Sequence, residues 1–178
     1  KMKIAIIGYS GAGKSTLAEK LSHYYSIPKL HMDTLQFQPG WQDSDREWML
    51  TEMKKFLTKH EAWVIDGNYS WCCYEERMQE ADQIIFLNFS PWTCLFRAFK
   101  RYLTYRGKVR ESMAAGCPER FDWDFIRWIL WDGRTKNAKE RYQRFQETYP
   151  DKVIVLRSQK EMDHFLENLV HNKKNQRV

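Results

Sequence analysis

The chain has 178 residues, 43% of them hydrophobic and 29% charged, which suits a single domain with one core and excludes a disordered, collagen-like or low-complexity chain. No apolar run approaches the ~20 residues that span a bilayer, and Cys72, Cys73, Cys94 and Cys117 show neither paired metal-site spacing nor the density of a disulfide scaffold. A cytoplasmic protein with reduced thiols and no membrane partner is expected, with Lys1 set aside from the fold argument. The net charge of +6 points to an anionic partner, and the stretch from Arg97 to Arg134 holds nine Lys or Arg against five Asp or Glu, so the charge is concentrated.

The spacing of apolar residues predicts the elements in order. Lys3 to Ile7 reads as a buried strand ending in glycines, and Ser15 to Tyr25 has helical spacing at Leu17, Leu21 and Tyr25. Pro28 to Met32 is a short extended piece, Pro39-Gly40 a loop, and Trp48 to Leu57 a helix. Trp63 to Ile65 reads as a strand closed by Asp66-Gly67-Asn68, and Gln83 to Phe89 as a strand stopped by Ser90-Pro91. Trp92 to Tyr105 is helical, with Trp92, Leu95, Phe96, Phe99 and Leu103 on one face. After a polar segment from Arg106 to Phe121, Asp122 caps a helical region to about Tyr149, interrupted at Asp132-Gly133. Lys152 to Leu156 is the fifth strand, and a last helix covers about Gln159 to His171. Alternating strands and helices predict an α/β fold with a five-stranded parallel sheet flanked by helices, with its ligand site beyond the carboxyl ends of the strands. The eight tryptophans are expected mostly to pack the core.

Gly8-Tyr9-Ser10-Gly11-Ala12-Gly13-Lys14-Ser15 matches the phosphate-binding loop pattern, directly after a strand and directly before a helix. The glycines let successive N–H groups turn inward, and the helix N-terminus adds about half a positive charge. Gly8, Ser10, Gly11, Ala12 and Gly13 are therefore expected to cradle the phosphates of ATP. Lys14 would reach the β and γ phosphates, Ser15 would ligate Mg²⁺ carried with ATP, and Thr16 would approach the α-phosphate.

Phosphoryl transfer also needs carboxylates and cations. Asp33 and Asp66 end two predicted strands on the rim where this loop opens. One would hold the metal, a role assigned to Asp66 together with Ser15, while Asp33 orients or deprotonates the acceptor hydroxyl. Arg97, Lys100 and Arg101 share the polar side of one helix, where like charges crowd unless an anion lies between them. Arg106, Lys108 and Arg110 sit in a glycine-containing segment placed to close as a lid. Arg120, Arg127 and Arg134 follow. Arg97 and Arg134 are assigned to ATP, and Arg101, Arg106 and Arg110 to the transferring phosphoryl group.

Taken together, the phosphate loop, the segment from His31-Met32-Asp33 to Pro39-Gly40-Trp41, the run Trp63 to Tyr69, and the stretch from Tyr105-Arg106-Gly107 through Gly116-Cys117-Pro118-Glu119-Arg120-Phe121-Asp122 to Trp128 resemble the bacterial topology modulation proteins, which are adenylate-kinase-like P-loop proteins. The resemblance covers about residues 3 to 157. It implies a nucleoside-monophosphate-kinase-like P-loop NTPase fold with an acceptor-binding insertion at about Thr34 to Glu61 and a lid at about Arg106 to Phe121. Adenylate kinases carry Asp-Gly-Phe-Pro-Arg where this chain has Asp66-Gly67-Asn68-Tyr69-Ser70, so the acceptor-gripping arginine is absent there. Arg77, from the next helix, is expected to replace it, with Trp41 and Asn68 completing the acceptor pocket.

The leading expectation is a Mg²⁺- and ATP-dependent kinase of a small nucleotide or nucleoside-like acceptor. A second, from a different class, is a nucleotide-dependent regulator of DNA topology with little kinase activity, in which Lys173 and Lys174 would meet nucleic acid. No nucleic-acid-binding motif supports it. A third is a slow ATPase without an acceptor. The oligomeric state is not readable from the pattern.

Overall fold

The computed structural model describes residues 1–175, and side chains through residue 172. Lys173 and Lys174 therefore lie outside the described side chains. β1 (Lys3–Gly8), β2 (Lys29–His31), β5 (Trp63–Asp66), β6 (Gln83–Leu87) and β7 (Val153–Leu156) form one parallel sheet in the order β2-β5-β1-β6-β7. Ile4, Ala5, Ile6 and Ile7 of β1 are all buried. Successive strand residues point to opposite faces, so helices must cover both faces of the sheet. All five predicted strands are present. The strand expected to reach Phe89 stops at Leu87, and the Phe89 carbonyl accepts from Arg134 Nη2 at 2.7 Å.

The helices are α1 (Lys14–Tyr25), α3 (Arg46–Lys59), α4 (Tyr74–Glu80), α5 (Pro91–Tyr105), α6 (Trp123–Leu130), α7 (Lys136–Thr148) and α8 (Gln159–Asn175). Side-chain caps start four of them where the chain offers an acceptor: Asp45 to Trp48 N, Ser90 to Thr93 N, Asp122 to Phe125 N and Thr135 to Ala138 N. The expected break at Asp132-Gly133 is a 3₁₀ turn, Asp132–Arg134. Between β2 and α3 the chain adds a one-turn α2 (Asp33–Gln36) and a hairpin of β3 (Phe37–Gln38) and β4 (Gln42–Asp43). Such short elements leave no periodic signal.

Two packing expectations are corrected. Of the eight tryptophans only Trp63 is fully buried, while Trp48, Trp92, Trp123, Trp128 and Trp131 are exposed. On α5 the core face is Cys94 and Ala98, and Trp92, Phe96 and Leu103 of the apolar stripe stand 58–68% exposed. Small side chains let the helix approach the phosphate loop closely at Cys94, where a Cβ at Gly11 would lie 2.6 Å from the Cys94 carbonyl, and the bulky stripe faces outward. Among the described residues no helix is long and apolar enough to cross a membrane.

Candidate active site

Every sheet strand ends on the same side, where one cavity of about 1330 Å³ opens. The phosphate loop joins β1 to α1 on its floor. Gly8 has φ +145°, and a Cβ there would collide with the Leu87 carbonyl of the neighbouring strand. Gly13 caps α1 in the left-handed region, at φ +94°. Ser10, Gly11, Gly13, Lys14, Ser15 and Thr16 line the cavity, whereas Gly8 and the fully buried Ala12 lie beneath it. Lys14 Nζ donates to the carbonyls of Gly8 at 2.9 Å and Tyr9 at 3.1 Å. Burial lowers its pKa, against the pull of Asp33 and Asp66. Lys14 is half-buried at the cavity floor.

Asn68 was assigned to the acceptor, but its amide is occupied by the loop. Gly8 N donates to Asn68 Oδ1 at 3.0 Å and Asn68 Nδ2 donates to Gly8 O at 2.9 Å. This two-bond clamp holds the first glycine of the loop, and Asn68 still lines the cavity.

The two rim aspartates both line the cavity, in different surroundings. Asp66 is buried at the end of β5, and His31 Nδ1 meets its Oδ2 at 2.5 Å. His31 Nε2 faces Glu19 Oε1 at 2.9 Å, and Glu19 in turn pairs with Lys29. Burial alone would lower the His31 pKa, but the bonds to Asp66 and Glu19 outweigh it and raise it. Burial raises the Asp66 carboxyl, with His31 opposing. Asp33 accepts from the Tyr69 hydroxyl at 2.5 Å. Burial and that carboxylate push the Tyr69 phenol far up, so it remains a donor.

The arginines divide. Arg101 and Arg110 line the cavity, and each gives its Nε to Glu119, at 2.5 and 2.6 Å. Arg97 reaches the cavity beside Gly13, with one terminal nitrogen bonded to Gln159. Arg134 stacks 3.8 Å above the Tyr9 ring and donates from Nε to Ile129 O at 3.1 Å, tying the 3₁₀ turn to the phosphate loop.

Two assignments fail. Arg106 is exposed, its guanidinium lies over the Tyr102 ring, and it does not line the cavity. Arg77 is fully buried and donates to the carbonyls of Cys72, Gly67, Asn68 and Tyr69 at 3.1–3.4 Å. Burial pushes its pKa down to about 10. It braces the loop after β5 from behind and cannot meet an acceptor. Cys72 beside it is buried, with its thiol pushed up to about 11, and among the described residues no cysteine is bridged.

The segment expected to act as a lid has no helix, and it touches the tip of the insertion. Gly40 N donates to Gly116 O at 2.9 Å, and Cys117 Sγ to Gln38 O at 3.1 Å. Arg120 lies 4.7 Å over the Trp41 ring. Trp41 lines the cavity with φ +64°, a backbone state uncommon for a bulky residue. Sequence reasoning gave no site role to Glu119, His31 or Tyr69, which the structure bonds to Arg101 and Arg110, to Asp66 and to Asp33. Each gains its role from a partner distant in the chain, and no local spacing signals such a partner.

No protein-family model matches the chain, and no curated protein matches it. Among solved structures the chain is similar to a gluconokinase from Sinorhizobium meliloti, at 18% identity and a TM-score of 0.51 over 98% of this chain and 97% of that one. It is also similar to a shikimate kinase from Bacteroides thetaiotaomicron, at 18% identity and a TM-score of 0.51 over 97% and 98%. At that identity the likeness shows the fold, an α/β P-loop fold with a five-stranded parallel sheet between helices.

Proposed function

We propose that the protein is an ATP-dependent phosphotransferase acting on a small molecule, with Mg²⁺ carried by the nucleotide. One observation supports this above the others. The phosphate loop, two rim aspartates and two arginines from different elements all face one cavity. Its volume of about 1330 Å³ exceeds the ~300–1,000 Å³ of a single small-molecule site, which suits a nucleotide and a second substrate together. Both similar structures also bear the names of small-molecule kinases.

In this reading the loop amides from Ser10 to Gly13, Lys14 and Thr16 bind the triphosphate, with Arg97 and Arg134 at its edge. The Ser15 hydroxyl and the Asp66 carboxylate are hard oxygen donors facing the same cavity, and they fit magnesium. When bound, the metal would neutralise phosphate charge and help orient the reacting group. Asp33, with one oxygen fixed by Tyr69, orients the acceptor hydroxyl and accepts its proton on the other oxygen. Arg101 and Arg110 stabilise charge on the transferring group. The insertion at residues 34–61 and the lid at 106–121 form the roof. Trp41 and Phe37, whose rings meet edge to face at 5.3 Å, give the acceptor an aromatic wall and suit a ring-bearing acceptor.

The test is ADP release in a coupled assay with Mg·ATP against nucleoside monophosphates, nucleosides and sugar acids, with Lys14→Ala as the blank. Release that one acceptor raises well above the blank is expected. ATP binding with no acceptor-dependent release would instead favour a nucleotide-dependent switch or an idle ATPase.

A further inference from the structure

Glu119 is an acidic residue inside the most basic stretch of the chain, and its side chain is only 5% exposed. It receives Nε of Arg101 from α5 and Nε of Arg110 from the lid, one on each carboxylate oxygen. All three residues line the cavity. Two guanidiniums so close repel one another: after burial, Arg110 is the strongest influence lowering the Arg101 pKa. An anion between them is therefore required, and the chain supplies it. Because both arginines use Nε, their terminal nitrogens are left for other work. Arg110 gives one to Ser112 at 3.1 Å, and among the described residues Arg101 gives none. Arg101 also senses Asp33 and Lys14 electrostatically, which places it on the reacting side of the cavity.

We propose that Glu119 is a positioning residue, holding Arg101 and Arg110 as a fixed pair whose free guanidinium edges meet the transferring phosphoryl group. The inference rests on the phosphotransferase reading above. Two positive charges and one negative leave a net positive charge aimed at the site before any substrate binds, so little reorganisation is needed as charge develops. The same carboxylate ties the lid to α5 through Arg101, and the Glu119 N–H, donated to Lys108 O at 3.1 Å, fixes its own backbone within the lid.

The test compares affinity for Mg·ADP with affinity for Mg·ADP plus aluminium fluoride, which mimics the phosphoryl group in flight. It uses the full chain and needs no acceptor. Wild type is expected to bind the fluoroaluminate complex more tightly. Glu119→Gln, similar in volume but uncharged, is expected to lose about tenfold or more of that advantage, with ADP affinity within about threefold of wild type. Glu119→Asp keeps the charge but cannot span both arginines. It is expected to lose the advantage too, and it carries the test if the glutamine variant does not fold. A carboxylate that merely blocked the arginines would give the opposite sign, with Glu119→Gln binding the complex more tightly. That outcome, an unchanged advantage, a wild type without one, or equal losses for ADP alone would each overturn the proposal. Acceptor-dependent ADP release by wild type is read separately. Its absence beside an intact fluoroaluminate advantage defeats the kinase reading and not the role of Glu119.

Discussion

A guanidinium buried among four carbonyl oxygens cannot be replaced by a smaller cation without leaving acceptors unpaired, which is the position of Arg77. Among the described residues no carboxylate pairs with it, and its charge faces these carbonyls and the Tyr74 ring, 5.7 Å away. Arg77→Lys should therefore cost about 3 kcal/mol and lower the melting temperature by roughly 6–12 °C for a chain of this size. At temperatures where the variant is folded, the acceptor KM should hold. A stable variant with a raised KM would return Arg77 to the acceptor site. His31 carries a second prediction. Asp66 and Glu19 hold its proton, so its folded pKa lies above the ~6.5 of an unfolded histidine. A raised pKa stabilises fully below ~6.5, and that stability is lost as pH rises through the folded value. The raised Asp66 carboxyl acts in the same sense from about pH 4 upward. The melting temperature should fall as pH rises past neutrality, and His31→Gln should flatten the slope. Parallel slopes for the two proteins would contradict this.

At the scale of elements, the insertion and the segment at 106–121 approach most closely at Gly116. Gly116 has φ +74°, and a Cβ there would lie 2.7 Å from Pro39 Cβ. Gly116→Ala must push the two segments apart, stretching the bond from Gly40 N to Gly116 O. The strain is about 1–3 kcal/mol, so the acceptor KM should rise roughly tenfold with nucleotide affinity unchanged, and protease should cut the lid faster. Gly107 has nearly the same φ, +73°, but open space around its Cβ position. Gly107→Ala therefore carries the backbone strain without the collision, and it should leave KM near wild type. If both variants behave alike, contact between the segments is not what closes the roof.

For the whole molecule, sheet, loop and roof meet around one cavity, so ligand binding should be read by the entire fold. At about 100 times its Kd, Mg·ATP should stabilise the protein by about 2.7 kcal/mol, raising the melting temperature by roughly 5–11 °C. Lys14→Met should remove most of that shift while changing the ligand-free melting temperature by only a few degrees, because Lys14 bonds two loop carbonyls and no core group. Mg·ADP release in the acceptor assay should fall by about 10²-fold or more in the same variant. An unfolded Lys14→Met chain, or an ATP shift equal to wild type, would count against Lys14 as a phosphate ligand.

The sequence alone determined what depends on neighbours in the chain. The five strands and most helices were legible because burial imposes periods of two and 3.6. The phosphate loop was legible because its backbone geometry demands glycines at fixed offsets, and Asp33 and Asp66 because strand ends face the ligand side of a parallel sheet. Only the tertiary structure decided which of the arginines reach the cavity. Arg77, Arg101, Arg106 and Arg110 are chemically identical in the sequence, yet one braces a loop from behind, two share Glu119 over the cavity and one points to solvent. The same holds for the tryptophans and for the α5 stripe, which faces outward while Cys94 and Ala98 face the core. A charge or an aromatic ring acquires its role from the dielectric and the partners around it, and folding brings those together from positions far apart in the chain.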